Sequence, residues 1–410
     1  MCTVRPATTT PSVLQLPTLM VTGSNGKTTT TRLLAAFAHA AGITAGSCST
    51  EGVVVAGRTV HTGDYAGPAG ARAVLRHPAV QLAVLETARG GILRRGLAVR
   101  RAQAALVTNV SADHLGEYGV ATLEDIAHTK LVVARAVADS GTLVLNGADP
   151  VLMAVAAATP HVQAIRAVGR LALFAHDHGH PALAAHRAAG GSTCGAQGGR
   201  LVMHQAGQAL DLGDLAAMPL TVGGAAGYNV ENIAAAVLMA HAAGLPAAAV
   251  VPTLARFGSS AADNPGRLER WSHRGATVLI DYAHTPDGLA QLLGVARALQ
   301  PRRLGLLLGQ AGNRDDAAIA ELARTAAAFS PDRVLIKELP GMLRGRAPGE
   351  VSALIEGALR AAGLAQERIV RHADEEGAAR ALLAWAEAGD VVVLPVHTGA
   401  VRQRLAAVWA

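Results

Sequence analysis

Short apolar runs bounded by turn residues alternate along the chain with longer alanine-rich stretches of helical period. Strands are expected at 18–22, 82–86, 104–110 and 142–146. This βαβ alternation argues for a parallel sheet wrapped by helices. Between about 160 and 225 the pattern breaks into shorter runs and Gly/His-rich turns, which reads as an antiparallel extension. Helices follow at about 229–243 and 246–256. A second βαβ series starts near Ala276, with strands at 276–281, 303–308, 333–337, 368–371 and 391–395. The turn-rich stretch Ser259-Ser260-Ala261-Ala262-Asp263-Asn264-Pro265-Gly266 separates the two series. The expected organisation is a short lead (1–16) and two α/β domains, 17–262 and 263–410.

Composition narrows the class. Half of the 410 residues are hydrophobic but only 3% are aromatic. Much of the apolar share is alanine, which suits close-packed helices on sheets. The longest apolar stretch, 233–255, is broken by His241, Gly244 and Pro246, so no membrane span is expected. No basic segment leads into an apolar one at the N-terminus, so no secretory signal is expected either. Cys2, Cys48 and Cys194 are too scattered for a disulfide framework or a zinc site, and a cytoplasmic protein is expected. The net charge of +6 comes from arginines spread without basic blocks or aromatic partners. That excludes a nucleic-acid binder and favours an anionic substrate or phosphate ligand.

The chemistry begins at Val21-Thr22-Gly23-Ser24-Asn25-Gly26-Lys27-Thr28-Thr29-Thr30, a glycine turn between an expected strand and an expected helix. Backbone amides there can curl round a phosphate, the helix start adds positive charge, and Lys27 adds a full one. Thr28 or Thr29 can offer a hydroxyl to Mg²⁺. The spacing is GxxGKTT, shorter than GxxxxGK[ST], which disfavours an ordinary GTPase or motor. The first domain is therefore read as a P-loop-type parallel-sheet ATPase, the second as a smaller Rossmann-like α/β domain.

Further candidates fall at strand ends, where open α/β sheets bind ligands. Glu86 closes an apolar strand and is placed to hold Mg²⁺. In Asn109-Val110-Ser111-Ala112-Asp113-His114, His114 is a candidate for a second metal or the γ-phosphate, oriented by Asp113. Lys130 is either a surface lysine or part of the site. Asn229 and Asn232 open a helix, either as capping residues or as partners for adenine and ribose edges. Arg267 and Asp281 are placed to reach ATP phosphate and ribose on domain closure. Gly309-Gln310-Ala311-Gly312-Asn313-Arg314 is a further strand-end loop. The run His176-Asp177-His178-Gly179-His180 is read as a flexible loop and not as a metal site.

Taken in order, GxxGKTT, Glu86, the SxDH segment, NxxN, GRxE and Asp281-Tyr282-Ala283-His284-Thr285-Pro286-Asp287-Gly288 resemble Mur-ligase-type ATP-dependent amide ligases. The resemblance covers about residues 17–410. Within that superfamily the chain is most similar to the Mur-like half of cyanophycin synthetases. Three segments carry this: Thr62-Gly63-Asp64-Tyr65-Ala66-Gly67-Pro68, Leu85-Glu86-Thr87-Ala88-Arg89-Gly90-Gly91-Ile92-Leu93-Arg94, and Lys337-Glu338 with Arg344-Gly345-Arg346. The resemblance implies that a carboxylate is activated as an acyl phosphate and attacked by an amine. It implies ATP and Mg²⁺ as cofactors, with Gly23, Asn25, Gly26, Lys27, Thr28 and Thr29 around the phosphates and Glu86 and His114 on metal. It further places Asn229 and Asn232 near adenine, Arg267 near phosphate and Asp281 near ribose. Lys130 matches the position carbamylated in some Mur ligases. Expected partners are a small-molecule or peptide carboxylate and an amino-acid amine, with no nucleic acid and no membrane. Family members are often oligomeric, so a homo-oligomer is possible, and the sequence leaves the oligomeric state open. Two alternatives stand beside a small-acid ligase. One is an arginine-adding polymer ligase working with a partner, the other a non-catalytic ATP-binding protein. The 410 residues have no room for an ATP-grasp half or a UDP-binding domain, and Pro395-Val396-His397-Thr398-Gly399 replaces an acidic continuation.

Overall fold

The computed structural model describes residues 16–112 and 116–409, so Asp113 and His114 lie outside the described residues. The first sheet contains β1 (Thr18–Thr22), β2 (Ala45–Ser49), β3 (Gly52–Val55), β4 (Arg58–Thr62) and β5 (Leu82–Glu86). It continues with β6 (Ala102–Val107), β7 (Val137–Asn146), β8 (Leu171–Asp177), β9 (Ser192–Gln197), β10 (Arg200–Gln205) and β11 (Gln208–Asp214). Its eleven strands lie in the order β11-β10-β9-β8-β7-β6-β1-β5-β2-β3-β4. From β9 across to β2 all neighbours are parallel. Every residue of β1 and of β5 is buried, as helices covering both faces of a parallel sheet require.

The segment after residue 160 departs from the expected antiparallel extension. β8 and β9 join in parallel, and only β10 and β11 turn antiparallel. The helix Pro181–Ala188, between β8 and β9, supplies the crossover that a parallel pair needs. The hairpins β2–β3–β4 are an addition to the expected strands. Gly52 is forced there: its φ is 141°, and a Cβ would meet the His61 carbonyl oxygen at 2.1 Å.

Behind β1 lies the helix Lys27–Ala40. Leu33, Leu34, Phe37 and Ala38 pack it onto the sheet, and Ile233 and Val237 of the helix Gly227–Ala242 close the same core. Full burial of side chains like Phe37 contributes about 2–3 kcal/mol each.

The second sheet contains β12 (Glu269–His273), β13 (Ala276–Asp281), β14 (Leu304–Leu308), β15 (Arg333–Lys337), β16 (Ile369–His372) and β17 (Val391–Pro395). Its order is β12-β13-β17-β14-β15-β16, antiparallel only between β12 and β13. Both sheets turn the C-terminal ends of their central strands toward one shared cleft, bridged by Asn25–Asp287 at 3.0 Å and Arg32–Asn264 at 3.1 Å. Among the described residues no helix is long and apolar enough to cross a membrane.

Candidate active site

The loop after β1 is held by the strand beside it. Asn109, past the end of β6, accepts the Ser24 amide on its carbonyl (3.0 Å) and the Asn25 amide on its side chain (2.9 Å). Thr108 Oγ1 donates to the Asn25 carbonyl at 2.5 Å, and the Ser111 amide donates to Ser24 Oγ at 2.9 Å. The two loop glycines answer to neighbours as well as to any ligand. A Cβ on Gly23 would lie 1.7 Å from Thr108 Oγ1, and one on Gly26 would lie 2.0 Å from Asn232 Oδ1. Lys27 opens the helix and curls back, Nζ donating to the Ser24 carbonyl at 2.9 Å.

Glu86 closes β5, the strand paired with β1, so its carboxylate emerges beside that loop. It is 1% exposed. Thr28 Oγ1 donates to Oε2 at 2.9 Å, while Oε1 is buried with no hydrogen-bond partner among the described residues. Burial raises the Glu86 carboxyl above its ordinary value, opposed by Lys27, Thr28, Arg267 and Arg32. Leaving a buried carboxylate oxygen unpaired is costly. A hard divalent cation would satisfy it, since oxygen donors are what Mg²⁺ takes. The donor set therefore fits the metal, and of the two threonines it is Thr28 whose hydroxyl meets Glu86, while Thr29 Oγ1 accepts from Asn264 Nδ2 at 3.2 Å.

Across the cleft, Arg267 lies with its guanidinium 4.8 Å from the Tyr282 ring centre and donates to Thr50 Oγ1 at 3.3 Å. Asp281, at the end of β13, accepts from the Leu268 amide at 2.7 Å. Burial raises its carboxyl, opposed by Arg267 and the surrounding amides. Asn232 donates to Asn229 Oδ1 at 3.0 Å, and Asn229 donates to the Leu220 carbonyl at 2.9 Å, so neither side chain caps its helix. Lys27, Thr28, Thr29, Glu86, Asn229, Asn232, Arg267 and Asp281 line one cavity of about 150 Å³. Gly23 and Lys130 line a larger one of about 530 Å³, which shares Ser24, Lys27, Thr50, Tyr282 and His284 with the first. Lys130 is buried, which removes the surface-lysine alternative.

Several residues at the cleft had no local signal. Glu51 stands in the two-residue turn between β2 and β3, and Arg402 comes from the last helix, Gly399–Ala406. They form a bidentate pair at 2.5 and 3.3 Å, with Arg267 3.9 Å from the same carboxylate. Burial works against the Glu51 charge, but Arg402, Arg267 and Arg32 hold its carboxyl below the ordinary range. Only the fold could reveal a contact between residues 351 positions apart.

Deeper in the second sheet, Lys337 is buried and donates to Glu375 and to the Pro395 carbonyl. Glu375 also accepts the amides of His397 (2.7 Å) and Thr398 (2.9 Å), fixing the loop after β17. Burial opposes its ionisation, yet Lys337 and these amides hold it at about 2. His397 packs edge-on to Tyr282 and His284, with ring centres at 5.5 and 6.3 Å. Gln310, from the loop after β14, donates to the His284 carbonyl at 3.1 Å. Outside the cleft, His178 uses its ring on Thr193 (2.9 Å) and Gln197 (3.3 Å), so that histidine run serves local packing.

Two family models match this chain. The Mur ligase middle domain matches residues 21–240, and the Mur ligase glutamate ligase domain matches residues 266–395. The chain is 38% identical over 346 residues to cyanophycin synthetase of Synechocystis sp., covering 84% of this chain but 38% of that one. It is 29% identical over 394 residues to the UDP-N-acetylmuramoyl-L-alanyl-D-glutamate–2,6-diaminopimelate ligase of Chlorobaculum tepidum, covering 91% and 70%. Thus it spans under two fifths of the length of the cyanophycin synthetases it matches. Its fold is similar to a bifunctional folylpolyglutamate synthase/dihydrofolate synthase solved with Mn, AMPPNP and L-glutamate bound. That match has a TM-score of 0.64 and 22% identity, covering 96% of this chain and 89% of the other. With the phosphate loop, the strand-end carboxylate and both domain matches in place, the chain belongs to the Mur ligase family.

Proposed function

We propose that this protein is an ATP-dependent carboxylate–amine ligase that forms an amide through an acyl phosphate and releases ADP and phosphate. The observation that carries this reading is the buried Glu86–Thr28 pair beside Lys27, with Glu86 Oε1 unpaired among the described residues, on a cavity that Arg267 and Asp281 also line. Mg²⁺, held by Glu86 and Thr28 with His114 as a further donor, would neutralise phosphate charge when bound.

An acceptor carboxylate oxygen attacks the γ-phosphorus, and the bond to the β-phosphate oxygen breaks. Lys27 leaves the Ser24 carbonyl to meet charge building on the transferred phosphoryl group. The amine nitrogen then attacks the acyl carbon, loses a proton, and phosphate leaves. Asn232, packed on Gly26, sets the loop and the nucleotide's base side together. Arg267 and Asp281 bring phosphate and ribose contacts from the second domain, whose boundary we place at 262/263. Lys130, buried on the large cavity, lies on the acceptor side; its carbamylation would add an anionic metal ligand there. Closure over the cleft excludes water from the anhydride. The protein is read as a cytoplasmic enzyme acting on a small acid or peptide.

The likeness to cyanophycin synthetase favours one narrower reading, addition of arginine to a polymer made with a partner enzyme. ADP release across a panel of acids and amines tests the main reading. Release that requires both an acid and an amine, with an amide product found by mass spectrometry, is expected. ADP release with no dependence on either would overturn it.

A further inference from the structure

The last helix, Gly399–Ala406, brings a buried guanidinium, that of Arg402, to the seam between the two sheets. It meets a carboxylate from each side. Glu51, in the turn between β2 and β3, accepts its two terminal nitrogens at 2.5 and 3.3 Å. Glu269, the first residue of β12, lies 3.6 Å from its Nε. A planar fork of donors serves two carboxylates at once, which the point charge of an ammonium does not.

The same guanidinium lies against the turn that carries Arg267. Gly266 is forced there: its φ is 70°, and a Cβ would collide with Arg402 Nη1. Arg32 holds the turn from the first sheet, donating to Asn264 Oδ1 at 3.1 Å and the Pro265 carbonyl at 2.7 Å. From this turn Arg267 donates to Thr50 Oγ1 at 3.3 Å. Thr50 Oγ1 lies 3.5 Å from Thr28 Oγ1, the hydroxyl that meets Glu86. Arg267 therefore ends beside the phosphate loop.

Glu51 competes for that arginine. Arg267 approaches its carboxylate only to 3.9 Å, while Arg402 occupies it with two nitrogens. Attraction between unit charges grows as they close, so Glu51 without Arg402 would draw Arg267 onto itself. The last helix does not depend on this ion pair for its place. Val401 and Leu405 are buried in the core of the second sheet, and Trp409 stacks on Trp271 with ring centres 5.3 Å apart.

We propose that Arg402 is a positioning residue: by occupying Glu51 it leaves Arg267 free to meet the nucleotide phosphates. This rests on the reading of the cleft as an ATP site and adds a residue that acts there through another.

A double-mutant cycle on nucleotide binding tests it. Calorimetric titration of the full chain with AMPPNP and Mg²⁺ needs no acid, amine or turnover. Arg402→Gln should weaken AMPPNP binding about thirtyfold, against about tenfold for Glu51→Gln. The double variant Glu51→Gln/Arg402→Gln should bind like Glu51→Gln alone, because no carboxylate is left to capture Arg267. The second substitution then restores part of what the first removed. Arg402→Lys keeps a charge on Glu51 and should lose only about threefold, which decides the matter if Arg402→Gln fails to fold. Losses that multiply in the double variant overturn the proposal, as a merely bracing role for Arg402 would give. So does parental affinity in Arg402→Gln, or a loss in Arg402→Lys beyond that of Glu51→Gln. A parent chain that binds no AMPPNP overturns the nucleotide reading and the proposal with it. A multiplicative cycle on a parent that does bind removes only the role of Arg402, so the two fail separately.

Discussion

Two buried carboxylates, one at each side of the cleft, have opposite surroundings. Glu375 has Lys337 and two backbone amides, and is held ionised at about 2. Glu86 has one hydroxyl and an oxygen with no partner among the described residues, and burial raises its carboxyl. The first is complete as the chain folds. The second is complete only with something bound. A satisfied buried charge organises a loop, whereas an unsatisfied one beside a phosphate loop marks where a cation belongs.

The largest expected effect separates these roles. Lys27→Ala and Glu86→Gln should each lower turnover about a thousandfold or more, by loss of charge stabilisation at the phosphoryl group. Thermal unfolding of Glu86→Gln should stay at or above that of the parent, because a costly buried charge is gone. A clear loss of stability in that variant would make Glu86 structural and break the contrast. Glu375→Ala should do the reverse, costing about 3–5 kcal/mol by stranding the buried Lys337 charge. Denaturant unfolding checks this, and Lys337→Met/Glu375→Leu should recover most of the loss.

Glu51 tests the cleft between those two carboxylates. Glu51→Gln should weaken ATP use about tenfold, since it releases Arg402 and loosens Arg267 where the domains meet. Steady-state kinetics should show the loss, and the swap Glu51→Arg/Arg402→Glu should restore part of it. A swap no better than the single variant would remove Glu51 from the closure.

Acid sharpens the contrast further. Asp390 is held at about 2: burial opposes its charge, but Arg303, the Glu387 amide and Arg302 prevail. With Glu375 depressed likewise, both contribute stability above the ordinary carboxylate range that is lost as pH falls through about 2. His397 is lowered to about 3, chiefly by burial and then by Lys337. It must stay neutral in the fold, so its contribution starts to fall below the ordinary histidine value. Melting temperature should therefore decline from about pH 6 downward, steepening below about pH 4 as the two carboxylates join. A flat profile over that range would contradict these surroundings. The smallest effect belongs to the exposed Arg200–Asp211 pair, whose removal should leave the melting temperature almost unchanged.

Much of this contrast is legible in the sequence on one side only. The strands β1, β5, β13, β15 and β17 match the expected ranges, because uninterrupted apolar runs ending in a polar residue or, for β17, a proline leave one reading. The hairpin strands β2–β4 escape, since Ala45-Gly46-Ser47-Cys48-Ser49 lacks the β-branched and aromatic residues that announce a strand. The orientation of β8 and β9 escapes because short runs do not reveal direction. At the site, Lys27, Thr28 and Glu86 follow from local order along the chain. Glu51, Arg402 and Glu375 do not, as their partners come from distant segments and their own neighbours look like ordinary turns and helix starts.

The most direct measurement follows oxygen from the acceptor. With an acid substrate whose carboxylate carries oxygen-18, ATP and an amine, an acyl phosphate transfers one labelled oxygen to the phosphate released. The account predicts labelled phosphate in step with amide product. Unlabelled phosphate accompanying full amide formation would contradict it.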